Sequence, residues 1–87
     1  MYIVTIKNRV LKNIKSMPIR IQEQMTLLID DLEAGGPVRS DWKNYSSLGD
    51  GSHHCHLSYR WVACWSCENN SIEIEVYYAG SRENAPY

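Results

Sequence analysis

At Gly35-Gly36-Pro37 the spacing of apolar residues changes from helical to alternating, and that one switch limits what this chain can build. Upstream, Ile21, Met25, Leu28 and Leu32 recur at three- and four-residue steps, the pattern of one buried helix face. The glycine pair and the proline then end the helix, because neither residue type sustains it. An earlier stripe, Val10, Leu11, Ile14 and Met17, carries its basic residues on the other side. Ser16 and Pro18 punctuate the two, as a cap and a first-turn proline. The two stripes are expected to zip together as a helical hairpin. Residues 2–6 form a β-rich run ahead of them, and residues 53–57, 59–66 and 72–79 alternate behind them. Turns are expected near Leu57-Ser58 and at Glu68-Asn69-Asn70. In the last run Ile72, Ile74, Val76 and Tyr78 should share one face, with Glu73, Glu75 and Tyr77 on the other. The expected fold is therefore α+β, in the order β-α-α-β-β-β, with an antiparallel-rich sheet backed by the hairpin on one face. The other face is expected to be open to solvent or a ligand.

With 87 residues there is room for one core, and residues 1–87 are read as a single domain. No apolar run is long enough to cross a bilayer, and the first residues do not make a signal peptide. Three cysteines, an odd count, argue against a disulfide framework and for a reduced, cytoplasmic setting. Net charge is −1, so there is no overall basic footprint for nucleic acid. The distribution is uneven, however: Lys7, Arg9, Lys12, Lys15 and Arg20 all precede the first acid, Glu23. A solvated helix face is the slightly better account of that cluster. Residues 36–51 show no periodicity; Trp42, Tyr45 and Leu48 could pin this stretch to the body as a packing or substrate-side loop.

The densest chemical signal is Ser52-His53-His54-Cys55-His56, which holds all three histidines of the chain. On a strand, His54 and His56 project to one face and His53 and Cys55 to the other. Imidazoles that titrate near neutrality suit proton transfer, and a same-face pair could share it. The alternative is a polar strand surface with incidental histidines. At the end of the chain, Arg82 could clamp a phosphate through its planar fork, and Tyr87 could stack on a base or donate a proton. A frayed terminus is the competing explanation. Cys64 and Cys67 form a C-x-x-C, but an odd step on a strand sends them to opposite faces. No second pair exists to complete a zinc site, so buried small hydrophobes are the better account.

Taken together, His54-Cys55-His56-Leu57, Tyr59-Arg60-Trp61-Val62-Ala63-Cys64-Trp65 and Ile72 through Tyr87 resemble the RelE-like cytotoxic translational repressors of the RelE/ParE superfamily. Asp41-Trp42-Lys43-Asn44-Tyr45 and the Gly80…Ala85-Pro86-Tyr87 ending fit the same group. The resemblance implies the toxin of a toxin–antitoxin pair, cutting messenger RNA on the ribosome without metal or cofactor. It implies attack of a ribose 2′-hydroxyl on the adjacent phosphate, leaving a 2′,3′-cyclic phosphate or related end. It also implies a cognate antitoxin, often a helix-turn-helix protein. Carried across by position, His54, His56, Arg82 and Tyr87 would be catalytic, and Arg60 and Lys43 would bind substrate. Arg60 depends on register, since a one-residue slip would turn it to the other face. Relatives often carry histidine at the position of Arg82; an arginine there stabilises charge but shuttles no proton near pH 7.

Two other functions compete with the ribonuclease. One is a non-catalytic binder of the same superfamily, such as a ParE-like gyrase inhibitor or a degenerate toxin that only holds its antitoxin. The other is a zinc module built from Cys55, Cys64, Cys67 and histidines. A pure binder has no use for two imidazoles beside an arginine and a terminal phenol, and that set favours the enzyme.

Overall fold

The computed structural model describes residues 1–87. Strand β1 (Ile3–Ile6) leads into helices α1 (Asn8–Ser16) and α2 (Ile19–Gly35). Four more strands follow: β2 (Ser46–Gly49), β3 (Ser52–His56), β4 (Trp61–Ser66) and β5 (Glu73–Ser81). A single 3-10 turn, Arg82–Asn84, precedes the C-terminus. They form one sheet in the order β1-β5-β4-β3-β2, in which β1 runs parallel to β5 and every other pair is antiparallel. This is the expected α+β arrangement with one strand more. β2 arises inside the stretch that shows no periodicity, and all four of its residues are exposed.

The core lies between the helices and one face of the sheet. Val10, Met17, Ile21, Met25, Leu28 and Leu32 meet Cys55, Leu57, Ala63, Trp65, Ile74, Val76 and Ala79. The four stripe residues of α2, Ile21, Met25, Leu28 and Leu32, are all buried, each contributing about 1.5–3 kcal/mol by leaving water. Of the α1 stripe, Val10 and Met17 are buried, while Leu11 is exposed. The helices do not chiefly zip to each other: α1 lies on β5 and α2 reaches β1. Ser16 caps nothing in α2. Its hydroxyl donates to the carbonyl of Asn13 at 2.8 Å, and the turn is tied instead by Gln22 Nε2 donating to Met17 O at 2.8 Å. Gly36 has φ +93°, and a Cβ there would stand 2.8 Å from the Tyr2 ring. Glycine thus lets the first strand close against the end of α2, where Tyr2 N–H also donates to Glu33 O.

One local feature moves side chains from their expected faces. Trp65 pairs with Val76 but Cys64 pairs with Tyr78, so Tyr77 is an extra residue in β5. This bulge turns Tyr78 away from Ile74 and Val76 and puts Ala79 into the core in its place. Trp42 does anchor the 36–51 stretch, donating from its indole to Asp31 Oδ2 at 2.7 Å, and Tyr45 packs on the core. Leu48 anchors nothing: it stands exposed at the β2–β3 turn.

Candidate functional site

The pairing of β3 with β4 sorts the histidines. Cys55 opposes Ala63, a core residue, so Cys55 and His53 face the helices. His53 lies parallel to the Trp65 indole, with 5.9 Å between ring centres, and its Nδ1 is 2.7 Å from the Tyr45 hydroxyl. It is a satisfied core histidine. His54 opposes Cys64 and His56 opposes Val62, so both project from the other face, with ring centres 6.0 Å apart. The thiols divide in the same way. Cys55 and Cys64 lie on opposite sides of the sheet, both fully buried, and burial pushes both thiols up to about 12. No three histidine, cysteine or acidic side chains converge closely enough to hold a metal.

The sheet face opposite the helices is not open, contrary to expectation. Val62 and Cys64 on that face are fully buried, and the C-terminal segment lies across it. The Tyr87 ring sits 4.1 Å from the His54 ring, centre to centre, leaving His54 only 8% exposed. Pro86 shares a hollow with Tyr77, Tyr78 and Arg9 of α1. The chain therefore brings His54, His56 and Tyr87 into one cluster.

The cations flank this cluster on two sides. Arg82 follows β5 directly, and its guanidinium lies 4.7 Å over the Tyr59 ring. Arg82 and Arg60 line one cavity of about 280 Å³ together with Tyr59, Trp61, Ser81 and Glu83. Arg60 precedes β4 rather than lying within it; its carbonyl accepts from Arg82 N–H at 2.7 Å, fixing the two arginines side by side. Lys43 lines a second, wider hollow with His56, Trp42 and Asp31, and its carbonyl accepts from His56 N–H at 2.9 Å. Neither Ser46 nor Asn44 stands out in the sequence, yet each meets a site imidazole: Ser46 Oγ lies 3.0 Å from His54 Nδ1, and Asn44 Nδ2 lies 3.4 Å from His56 Nδ1. Asn44 adopts φ +54°, a conformation that asparagine tolerates, but its residue type alone gives no hint of an imidazole partner.

Electrostatics keep the imidazoles neutral. Burial lowers His54 below the usual 6.5, its neighbour His56 lowers it further, and a hydrogen bond with the Ser46 backbone works against both. Burial also lowers His56, with Arg82 and Lys43 adding to the effect. Tyr87 moves the other way: burial raises its phenol above 10, so it holds its proton at neutral pH. His53 is lowered by burial as well. The folded chain thus binds fewer protons than the unfolded chain below pH 6.5, and stability should rise with pH through that range. Thermal melts should show Tm falling as pH drops from 6.5 to 5, and each His→Gln variant should flatten the slope.

No protein-family model matches the sequence, and a search of curated proteins finds no match. Solved structures do match. The chain superposes on the archaeal RelE–RelB complex from Pyrococcus horikoshii with a TM-score of 0.76 at 20% identity, covering 97% of this chain and 98% of that one. The isolated RelE toxin of E. coli gives 0.72 at 14% identity, covering 99% and 89%. The Staphylococcus aureus YoeB–YefM complex gives 0.70 at 9% identity, covering 92% and 95%. At such identities the likeness speaks for the backbone alone, and on that evidence this chain has the RelE-type toxin fold.

Proposed function

We propose that the chain is the toxin of a toxin–antitoxin pair and acts as a metal-independent endoribonuclease on messenger RNA engaged with the ribosome. One observation carries the reading: His54 and His56 share a sheet face, Tyr87 lies against His54, and His56 feels the charge of Arg82 and Lys43. RNA transesterification needs those parts. His54 takes the proton from a ribose 2′-hydroxyl, and the freed oxygen bonds to the adjacent phosphorus. Arg82, with Arg60 and Lys43 binding flanking phosphates, stabilises the negative charge that gathers on the phosphorane. The bond from phosphorus to the 5′-oxygen breaks, and the Tyr87 phenol supplies the proton for the leaving oxygen. A 2′,3′-cyclic phosphate remains. Tyr87 covers His54, so an incoming phosphodiester shifts the last residues, which no strand or helix holds.

The fold likeness to RelE and YoeB toxins solved with RelB and YefM supports a protein antitoxin as partner. Such a contact would bury about 1,200–2,000 Å² if it is to hold firmly.

Purified protein incubated with ribosome-bound message in excess chelator should produce cuts whose 5′ fragments end in a cyclic phosphate. Intact message, together with DNA damage in cells expressing the chain, would instead favour a gyrase-directed binder. The rate should also carry a signature. The base works only when unprotonated, and its pKa lies below 6.5. Cleavage should therefore climb as pH rises toward 6.5, then stay level until Tyr87 begins to ionise above 10. A rate that falls steadily from pH 5 to 8 would rule His54 out as the base.

A further inference from the structure

His56 pairs with Val62 and Val62 with Gly80, so these three residues form a row across the sheet. Arg60, two residues before Val62, and Arg82, two after Gly80, make the next row, joined by the 2.7 Å bond from Arg82 N–H to Arg60 O. They share the cavity of about 280 Å³ with Tyr59, Trp61, Ser81 and Glu83. That volume is at the low end for a small-ligand site and suits one planar base rather than several. The lining departs from that of a plain phosphate site in one respect: it includes a carboxylate. The ion pairs of the chain are Lys7–Glu75 and Arg39–Asp41, so Glu83 is engaged by neither arginine. One small cavity thus holds two guanidinium forks and an unpaired carboxylate beside two aromatic rings. A phosphate alone would be repelled by Glu83; a ligand that accepts on one edge and donates on the next would use both charges.

We infer that this cavity is a base-reading subsite, selective for a guanine beside the scissile phosphate, with Glu83 as its specificity-determining residue. The inference rests on the ribonuclease reading and adds to it what the message carries next to the cut. Guanine alone among the RNA bases sets two acceptors, O6 and N7, side by side on one edge and two donors, N1–H and the 2-amino group, on the next. An arginine fork matches the first edge and a carboxylate the second. Adenine, cytosine and uracil each set a lone pair beside their donor on that second edge, and a carboxylate repels it. Tyr59, 71% exposed, and the half-buried Trp61 supply aromatic faces against which the base stacks. Arg82, whose charge reaches His56, stays with the scissile phosphate. Arg60 has five donors, enough for a neighbouring phosphate oxygen and a base edge together.

Short 2′-O-methyl RNAs, which bind but have no free hydroxyl to attack, test this on the intact chain. They differ in one central base and are titrated by fluorescence anisotropy at one salt concentration. The guanine probe should bind about tenfold tighter than the adenine, cytosine and uracil probes, the worth of one good bidentate contact. Inosine, which is guanine without its 2-amino group, should lose most of that advantage, and 7-deazaguanine, without N7, should lose part of it. Glu83→Ala, at an exposed position, gives the sign that matters. If Glu83 only repels RNA, removing its charge tightens every probe alike. If it reads guanine, the guanine probe weakens to the level of inosine while the others do not weaken. Equal affinity for the four bases, or a guanine preference that survives Glu83→Ala, would overturn the inference. Mapping the cuts in ribosome-bound message separates it from the reading beneath it. Cuts with no guanine beside them would reject the subsite and leave the nuclease standing. A guanine preference in the binding series, from a chain that cuts no message, would reject the nuclease and keep the subsite.

Discussion

His54→Ala is expected to fold like the parent and to lose RNA cleavage by about 10²–10⁴-fold, the usual contribution of a positioned general base. Growth arrest on expression should disappear with it. The size of the effect follows from the absence of a substitute. His53, the neighbour in sequence, faces the helices, where it stacks on Trp65 and is held by Tyr45. His56 has its Nδ1 occupied by Asn44 and sits under the charge of Arg82 and Lys43, which makes it a poor base. Truncation at 54 removes a side chain that packs against Tyr87 on the sheet face away from the hydrophobic core, so the melting temperature should fall by less than it would for a core residue. Two measurements suffice: a cleavage time course with ribosome-bound message and a thermal melt of the same sample. Cleavage within a few-fold of the parent, in a variant with an unchanged melt, would remove His54 from the chemistry. His56→Gln, which keeps an N–H donor, should lose far less than His54→Ala.

Much of this could be read before any coordinates. The α2 stripe was legible because each of its apolar residues meets the same layer, and burial of a helix face imposes its spacing on the sequence. The separation of His54 and His56 from His53 was legible for the same reason, since a strand alternates. What escaped the sequence has a common cause. β2 is an edge strand exposed on both faces, so nothing selects for alternation at Ser46, Ser47 and Leu48. The bulge at Tyr77 depends on how β5 registers with β4, a relation between distant segments that leaves no local trace. It moves Tyr78 to the histidine face, where its hydroxyl donates to Ser81 O at 2.6 Å. The Arg82–Tyr59 contact joins two turns 23 positions apart, and the partners of the imidazoles, Asn44 and Ser46, come from a segment whose composition says only that it turns. Side chains at the site were recognisable by type; their second partners were not.

Trp65→Ala should destabilise the chain by about 3–5 kcal/mol, the cost of a large buried aromatic replaced by a methyl group. Trp65 is wholly buried near the end of β4, the middle strand of the sheet, paired with His53 on one side and Val76 on the other. Its indole donates to Pro37 O at 2.9 Å, tying the end of α2 to the sheet, and its ring supports both His53 and Tyr45. A domain of this size has only about 5–15 kcal/mol to lose, and each kcal/mol moves Tm by roughly 4–8 °C. The variant should therefore melt at least about 12 °C lower, or fail to accumulate. Trp65→Phe refills most of the volume and forfeits the hydrogen bond, so its loss should be nearer 1–2 kcal/mol. Urea titrations of all three proteins test the order directly, and an alanine variant as stable as the phenylalanine one would contradict the packing described. The two faces of β3 make a further distinction available. Trp65 acts on His53, while the chemistry proposed above belongs to His54 on the opposite face. Whatever Trp65→Phe protein remains folded should keep the parent's pH limb and cut RNA in proportion to its folded fraction, whereas His54→Ala protein should be fully folded and silent.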